Sequence, residues 1–325
     1  MATQPAKRRW IVAVTAPVLL VLAFFAGPVH RIDETVMPTR VPSEPAALES
    51  YLAAAERRHP DIVPGAEKTI VWAHADRRKT PLAIVYLHGF SASRQEVAPL
   101  CDELGARLGA NVFYARLAGH GRDPRAMGEV QGNEWLQDAT EALAIGREIG
   151  ERVVLVGTST GGTLALWLAQ HDPQKIAALV LISPNLGPRG AGAELLAGPW
   201  GAQVLRAVVG TEHRWDPANP AQARYWNWQY PSTALLPMMA LVKIVRESPL
   251  ESITTPTLVL YSLEDQVVEP LETERAFARL GSRTKRLQVV NDSADRSNHV
   301  LAGDILAARD TARVREWIID FLEPR

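Results

Sequence analysis

The sequence predicts an α/β protein built on a doubly wound, mostly parallel sheet. Short apolar runs rich in β-branched residues, such as residues 82–87 and 153–156, recur along the chain. Segments with helical periodicity separate these runs, and strands that alternate with helices indicate a parallel sheet covered on both faces. A chain of 325 residues that is 47% hydrophobic suits one large domain with an insertion.

The individual elements follow from the same patterns. The predicted strands comprise residues 68–73, 82–87, 111–115, 153–156, 177–182, 256–261 and 286–290. Helices are predicted at residues 46–58, 94–108, 134–149 and 311–322, and also from residue 160 onward and after residue 270. The run at 153–156 is apolar throughout, which is typical of a strand buried on both faces, so we expect it near the centre of the sheet.

An uncharged apolar run occupies residues 10–29 and follows Lys7, Arg8 and Arg9. The run is just long enough to span a bilayer, and the preceding cations predict an amino terminus on the cytoplasmic side. We expect a single-pass helix in the inner (cell) membrane that leaves the folded domain outside the cytoplasm. The alternative is a signal peptide cleaved after Ala26, at a site crowded by bulky aromatic residues, which would give a secreted or periplasmic protein.

The chain therefore divides into three parts. Residues 1–29 form a membrane anchor or signal segment, residues 30–66 a linker with a short helix, and residues 67–325 the α/β domain. Within this domain, residues 184–254 lack strand periodicity and are rich in Gly, Pro and Trp. A long irregular insertion in a compact domain is typically a lid or binding loop, and we predict a helical lid. A small helical subdomain with ordinary core aromatics is the alternative.

Composition and motifs exclude several classes of protein. The net charge of −1 gives no basic patch for nucleic acid. The one cysteine, Cys101, excludes an internal disulfide framework, and its apolar surroundings predict a packing role. The sequence also lacks the glycine-rich nucleotide loops and the His-Glu-x-x-His zinc motif. We therefore expect no cofactor and no metal.

The candidate nucleophile is Ser159, in the sequence Gly157-Thr158-Ser159-Thr160-Gly161. A buried strand precedes it and a helical pattern begins at Thr160, so Ser159 lies on a sharp strand-to-helix turn. Such a turn strains the backbone of its middle residue and tolerates only small neighbours, a demand that Gly157 and Gly161 meet. A chance Gly-x-Ser-x-Gly is the competing interpretation, and the strand before and helix after weaken it.

A serine hydroxyl needs a base within hydrogen-bonding reach and an acid that orients the base. Functional residues of doubly wound sheets lie at the carboxyl ends of strands, which selects Asp265 after the strand at 256–261 and His299 after the last strand. Glu264 is the rival acid. His120 lies between two glycines and is predicted to stabilise a turn rather than to act as the base.

An oxyanion hole needs two backbone N–H groups that point at the developing negative charge. One is predicted to come from Thr160, the residue after the nucleophile. The other is predicted to come from Phe90, in the loop that follows the apolar strand at 82–87.

Taken together, these motifs resemble the α/β-hydrolase superfamily and, within it, the serine hydrolases grouped with monoacylglycerol lipases, lysophospholipases and bacterial carboxylesterases. The residues that carry the likeness are His88-Gly89-Phe90, Gly119-His120-Gly121, Gly157 to Gly162, Trp135 to Asp138, Asp265 and His299 to Leu301. The resemblance implies metal-free ester hydrolysis by a Ser-His-Asp triad through an acyl-serine intermediate. With the membrane run and an insertion suited to an acyl chain, it implies a small-molecule or lipid ester substrate.

The expected substrates are short to medium acyl esters or monoacyl lipids. The insertion matches no motif of the group, so no substrate-binding residue is predicted. A serine peptidase or amidase, an acyltransferase and a catalytically inactive binding module on the same fold are the alternatives.

Overall fold

The computed structural model describes residues 22–190 and 192–323 and confirms the predicted mostly parallel sheet. The strands of the main sheet are β1 (Thr69–Val71), β2 (Thr80–Leu87), β3 (Asn111–Tyr114), β4 (Gly150–Thr158), β5 (Ile176–Ile182), β8 (Thr257–Tyr261) and β9 (Lys285–Val289). Their order across the sheet is β1-β3-β2-β4-β5-β8-β9, and β1 alone of these strands runs antiparallel to its neighbour.

Two hydrophobic clusters, one on each face of the sheet, sandwich the central strands. Successive residues of β4 alternate between them: Val153 and Leu155 belong to one cluster, and Val154 and Val156 to the other. Because both faces are buried, the strand needs apolar residues at every position. This is why the unbroken run at 153–156 predicts a central strand.

Helices cover both faces. Outside the insertion, they are α1 (Pro45–Glu56), α2 (Leu100–Leu108), α3 (Asn133–Ile149), α4 (Thr160–His171), α8 (Pro270–Arg279) and α9 (Ala308–Leu322). The prediction of one helix over 94–108 was wrong, because the segment divides into a 3₁₀-helical turn at Arg94–Glu96 and α2. Pro99 lies between them; it has no N–H to donate and disfavours helical backbone at the residue before it.

The insertion contains secondary structure that was not predicted. Its elements are α5 (Gly201–Val208), β6 (Glu212–Arg214), α6 (Pro220–Tyr225), β7 (Gln229–Pro231) and α7 (Leu235–Glu247). The insertion was predicted to be helical, and it also contains an antiparallel pair, β6 and β7. Strands of three residues are too short to produce an alternating pattern that sequence could reveal. Whether the insertion acts as a lid stays a prediction.

Most of the predicted membrane-spanning run lies outside the described residues. In its described part, residues 22–25 form a helical turn that ends before Gly27 and Pro28. The indole Nε1 of Trp200, in the insertion, donates a hydrogen bond to the carbonyl of Phe24 at 2.9 Å. Across residues 22–190 and 192–323, none of the helices combines the length and the apolar character needed to cross a bilayer.

Residues between 30 and 66 pack on the domain. Leu48 and Leu52 of α1 are buried in the main core cluster. Glu56, at the end of α1, accepts two hydrogen bonds from the guanidinium of Arg116, at 2.8 and 2.9 Å. Both side chains of this pair are largely buried, so the helix is fixed by a charge-assisted contact as well as by apolar packing.

Candidate active site

Ser159 occupies the turn between β4 and α4 in a left-handed region of backbone space, with φ 52° and ψ −117°. Its N–H donates to the carbonyl of Ile182 at 2.9 Å, which ties the turn to the neighbouring strand. A Cβ at Gly157 would lie 2.5 Å from the carbonyl oxygen of Gly161, and a Cβ at Gly161 would overlap the carbonyl of Leu87. Close backbone approach therefore requires both glycines.

The start of α4 lies directly behind Ser159. The N–H groups of Gly162 and Thr163 donate to the carbonyl of Ser159 at 2.9 and 3.2 Å. The N–H of Thr160 is the first of the helix, and the first N–H groups of a helix have no intrahelical acceptor. Together with the positive end of the helix dipole, this makes the Thr160 N–H suited to an anion beside Ser159.

Asp265 and His299 form a buried pair. Nδ1 of His299 lies 2.8 Å from Oδ2 of Asp265. The other carboxylate oxygen accepts N–H bonds from Val267 at 2.7 Å and Val268 at 2.9 Å. Asp265 is 1% exposed, whereas the rival Glu264 is exposed to solvent. The structure thus brings together the acid and the base selected from the sequence.

Burial alone would lower the pKa of His299, because it penalises the charged imidazolium. The charge of Asp265 and its hydrogen bond outweigh that penalty, with further contributions from Glu96 and Asp295, so the pKa is raised. The proton on Nδ1 is held by Asp265, which leaves the lone pair on Nε2 available to accept a proton.

The loop that carries His299 is held by Asp295, a residue that sequence reasoning missed. Oδ2 of Asp295 accepts the N–H of His299 at 3.1 Å and the N–H of Val300 at 2.9 Å. The N–H of Gln266 donates to the carbonyl of Ser297 at 2.8 Å and joins the loops directly. An aspartate four residues before a histidine, with serine and asparagine between, is a turn signal that could have indicated this role.

All three predicted catalytic side chains follow the carboxyl ends of parallel strands. Ser159 follows β4, Asp265 follows β8 and His299 follows β9, and the order β4-β5-β8-β9 is continuous. Parallel strands present their carboxyl ends at one edge of the sheet, which is where ligands bind in this class of fold. The topology therefore concentrates the three residues at that edge.

The loop after β2 carries Phe90, the other predicted oxyanion residue. His88 is fully buried; its Nδ1 is 2.9 Å from the carbonyl of Gly89, and its Nε2 accepts the N–H of Leu117 at 3.0 Å. Burial lowers the pKa of His88 well below its ordinary value, so the ring is neutral, with its proton on Nδ1. In a trans peptide the C=O and N–H point in opposite directions, so fixing the Gly89 carbonyl also orients the Phe90 N–H.

An aromatic cluster surrounds the Phe90 ring. The rings of His120, Trp135 and Tyr230 pack edge-on against it, at centroid distances of 5.7, 5.9 and 5.4 Å. Tyr230 belongs to β7, so the insertion directly contacts the loop that follows β2. The Nδ1 of His120 lies 2.9 Å from the carbonyl of Ala118, and burial lowers its pKa to about 4. These features fit the predicted turn-stabilising role of His120.

A separate polar cavity of about 340 Å³ lies between α1 and α3. Several of its charged groups form ion pairs: Lys68 pairs with Asp138 and Glu141, and Arg116 pairs with Glu56. Of these pairs, Arg116–Glu56 attaches α1 to the domain. Among the described residues, no cluster of three His, Cys, Asp or Glu side chains could hold a metal ion.

Comparison with known proteins identifies relatives of most of the α/β domain. Residues 78–294 match the family described as serine aminopeptidase, S33. A thermostable monoacylglycerol lipase from Bacillus sp. (strain H-257) is 26% identical over 213 residues, which are 66% of this chain and 82% of the relative.

Solved structures agree on the fold. A structure from work on LipS and LipT, two metagenome-derived lipolytic enzymes, has a TM-score of 0.64 and 24% identity, and covers 80% of this chain and 98% of that chain. The monoacylglycerol lipase of Paleococcus ferrophilus has a TM-score of 0.58 and 20% identity, with 78% and 99% coverage. At these identities the likeness establishes the fold alone, which is that of the α/β-hydrolases.

Proposed function

The chain belongs to the serine aminopeptidase S33 family and has the α/β-hydrolase fold, and from this we propose that it is a carboxylic ester hydrolase with the triad Ser159, His299 and Asp265. The observation that carries the proposal is the buried Asp265–His299 pair, at the same sheet edge as a strained serine at the start of a helix. The similarity to a monoacylglycerol lipase supports an ester substrate.

The reaction has two halves. His299, oriented by Asp265, accepts the proton of the Ser159 hydroxyl as its oxygen attacks the ester carbonyl. The N–H groups of Phe90 and Thr160 donate to the oxyanion of the tetrahedral intermediate. His299 then protonates the leaving alcohol, which leaves an acyl-serine. Water, deprotonated by His299, hydrolyses this intermediate and regenerates the hydroxyl.

The substrate class proposed is short to medium acyl esters or monoacyl lipids. The name of the Bacillus relative supports monoacyl lipids. The insertion supplies apolar surface near the oxyanion loop, since Tyr230 packs on Phe90. On this basis the insertion would cover the acyl chain as a lid. Rates on a series of nitrophenyl esters of increasing chain length would test the preference; equal rates at every length would contradict it.

An aminopeptidase is the second candidate, because the matching family carries that description. Parallel assays with a nitrophenyl ester and aminoacyl nitroanilides separate the two. Hydrolysis of the anilides at rates comparable to the ester would favour the aminopeptidase.

Anchoring to the inner membrane by residues 10–29, with the catalytic domain outside the cytoplasm, is part of the proposal. The length of the apolar run and the three cations before it support this orientation. A topology reporter fused after residue 40 tests it: activity of the reporter only in the cytoplasm would reverse the orientation. Release of the domain from membranes by signal cleavage would instead support the secreted form.

The decisive test of the hydrolase is Ser159→Ala. If the triad works as a unit, the substitution lowers kcat by roughly 10⁴-fold or more and abolishes labelling by a fluorophosphonate. Ser252→Ala is the matched control, at an exposed serine that precedes the amino end of β8. This variant should retain both its kcat and its labelling by the fluorophosphonate. An unchanged rate in Ser159→Ala would remove the assignment.

A further inference from the structure

Glu96 is a buried carboxyl that the proposed mechanism does not use. It ends the 3₁₀-helical turn Arg94–Glu96 and is 2% exposed. Its Oε2 accepts the N–H of Gly89 at 2.8 Å and lies 2.8 Å from the hydroxyl of Tyr86. Burial of a carboxyl costs free energy of folding, and its hydrogen bonds must offset that cost. The contacts of Glu96 therefore indicate what the buried acid does.

The contacts of Glu96 extend to the nucleophile turn. The Tyr86 hydroxyl, at the end of β2, lies 3.0 Å from the hydroxyl of Thr158, the residue before Ser159. A Cβ built at Gly89 would lie 2.7 Å from Oε1 of Glu96 and 3.2 Å from the Cβ of Ser159. A side chain at position 89 would therefore meet both the carboxylate of Glu96 and the side chain of Ser159.

We propose that Glu96 is a positioning residue of the reaction, which holds Gly89, and through it the Phe90 N–H, at the correct place relative to Ser159. The two ends of this peptide segment are fixed independently. Glu96 holds the Gly89 N–H, and His88 holds the Gly89 carbonyl. The inference rests on the proposed function, since it assigns the Phe90 N–H to the oxyanion.

The charge of Glu96 has a second consequence. Among the described residues, Glu96 takes part in no ion pair with lysine or arginine, and Arg94 of the same turn is directed to the carbonyl of Gly65. The ionisable groups that face it from other elements are Tyr86 of β2 and Asp295 and His299 of the loop after β9. His299 is therefore the cation that this carboxylate can stabilise when the imidazole is protonated.

Backbone packing brings the two loops close. The carbonyl of Glu96 lies against Gly303, and the N–H of Asp304 donates to the carbonyl of Ala98 at 2.8 Å. Glu96 raises the pKa of His299, while His299 works against the burial that raises the pKa of Glu96. Glu96 therefore affects two groups that stabilise the transition state: the Phe90 N–H, which it positions, and the protonated His299, whose charge it stabilises.

The test uses the full chain, with Glu96→Gln, Glu96→Ala and Tyr86→Phe as variants. Glu103→Gln, which makes the same chemical change at a partly exposed residue of α2, is the control. kcat and KM for a nitrophenyl ester are measured across pH, with thermal unfolding in parallel. We expect kcat to fall roughly 10-fold in Glu96→Gln and roughly 100-fold in Glu96→Ala, with KM little changed.

Loss of the Glu96 charge also makes the protonated form of His299 less stable. The acidic limb of kcat/KM should therefore move to lower pH in Glu96→Gln, which a purely structural role would not produce. If Glu96→Ala fails to fold, Glu96→Gln and Tyr86→Phe still test whether Glu96 positions the loop. A kcat and a pH profile in Glu96→Gln identical to those of Glu103→Gln would overturn the inference and leave the proposed function intact. Absence of ester hydrolysis by the unmodified protein would overturn both.

Discussion

The candidate site contains a buried histidine on each of two sides, the loop after β9 (the base side) and the loop after β2 (the oxyanion side), and their pKa values shift in opposite directions. On the base side, His299 is paired with Asp265, and its pKa is raised although the ring is buried. On the oxyanion side, His88 is equally buried but bonds only to backbone groups, and its pKa is lowered. Burial is common to both, so the nature of the hydrogen-bond partner decides the direction of the shift.

This difference separates two tasks. A residue that must gain and lose a proton needs a carboxylate that stabilises its charged form. A residue that orients a peptide needs a fixed tautomer; burial keeps the His88 ring neutral, and its two backbone hydrogen bonds place the proton on Nδ1. The same side chain is therefore suited to the proposed role of base after β9 and to a structural role after β2.

Removal of the carboxylate from the base side should have the largest effect. Asp265→Asn is expected to lower kcat by about 10⁴-fold, because an amide does not enforce the tautomer or stabilise the imidazolium. The Ser159 hydroxyl and the oxyanion loop are unchanged by it. Steady-state kinetics on a nitrophenyl ester measure the loss.

Glu264→Gln is the matched control and should leave kcat within about two-fold, as expected for an exposed side chain outside the pair. Equal losses in Asp265→Asn and Glu264→Gln would show that the acid has been misassigned.

Crowding of the oxyanion side should have the next largest effect. In Gly161→Ala the new Cβ overlaps the Leu87 carbonyl, so β2, its loop or the nucleophile turn must shift. We expect a loss of roughly 3 kcal/mol or more in the free energy of unfolding, accompanied by loss of activity. Gly190→Ala meets no atom within 4 Å and is the control. Denaturant titration that finds the two variants equally stable would refute the close approach.

The smallest expected effect concerns His120, whose pKa is lowered from 6.5 to about 4. Between these values the unfolded chain binds a proton that the folded protein does not, so stability falls as pH falls from 6.5 towards 4. The stability lost is about 1.4 kcal/mol for each pH unit below 6.5 within this interval, and the effect is absent at neutral pH. It should disappear in His120→Gln, whose stability would change less over this interval. Unfolding curves measured at several pH values provide the test; parallel pH dependences in both proteins would contradict the neutral His120.

The parts of the site that sequence could predict are those encoded locally. The Gly-x-Ser-x-Gly turn requires its own glycines, and Asp265 and His299 follow recognisable strands, so strand order and the edge rule suffice to select them. The sheet was predictable for the same reason, because its central strands contain apolar runs.

The supporting contacts could not be predicted in this way. Glu96 lies in a segment predicted as a continuous helix, and only the break before α2 turns its carboxylate towards Gly89 and Tyr86. The two short strands of the insertion are visible only through their pairing. Such features depend on how distant segments meet, which periodicity does not encode.

The contact between Tyr230 and Phe90 limits how freely this protein can be re-engineered. The insertion is the natural segment to exchange between relatives when a new selectivity is wanted. Here a graft would also replace Tyr230, one member of the aromatic cluster around Phe90, whose N–H we propose as an oxyanion donor. Substrate selectivity and kcat are therefore coupled through this contact. A chimaera would have to keep an aromatic residue at position 230 to change selectivity without lowering kcat.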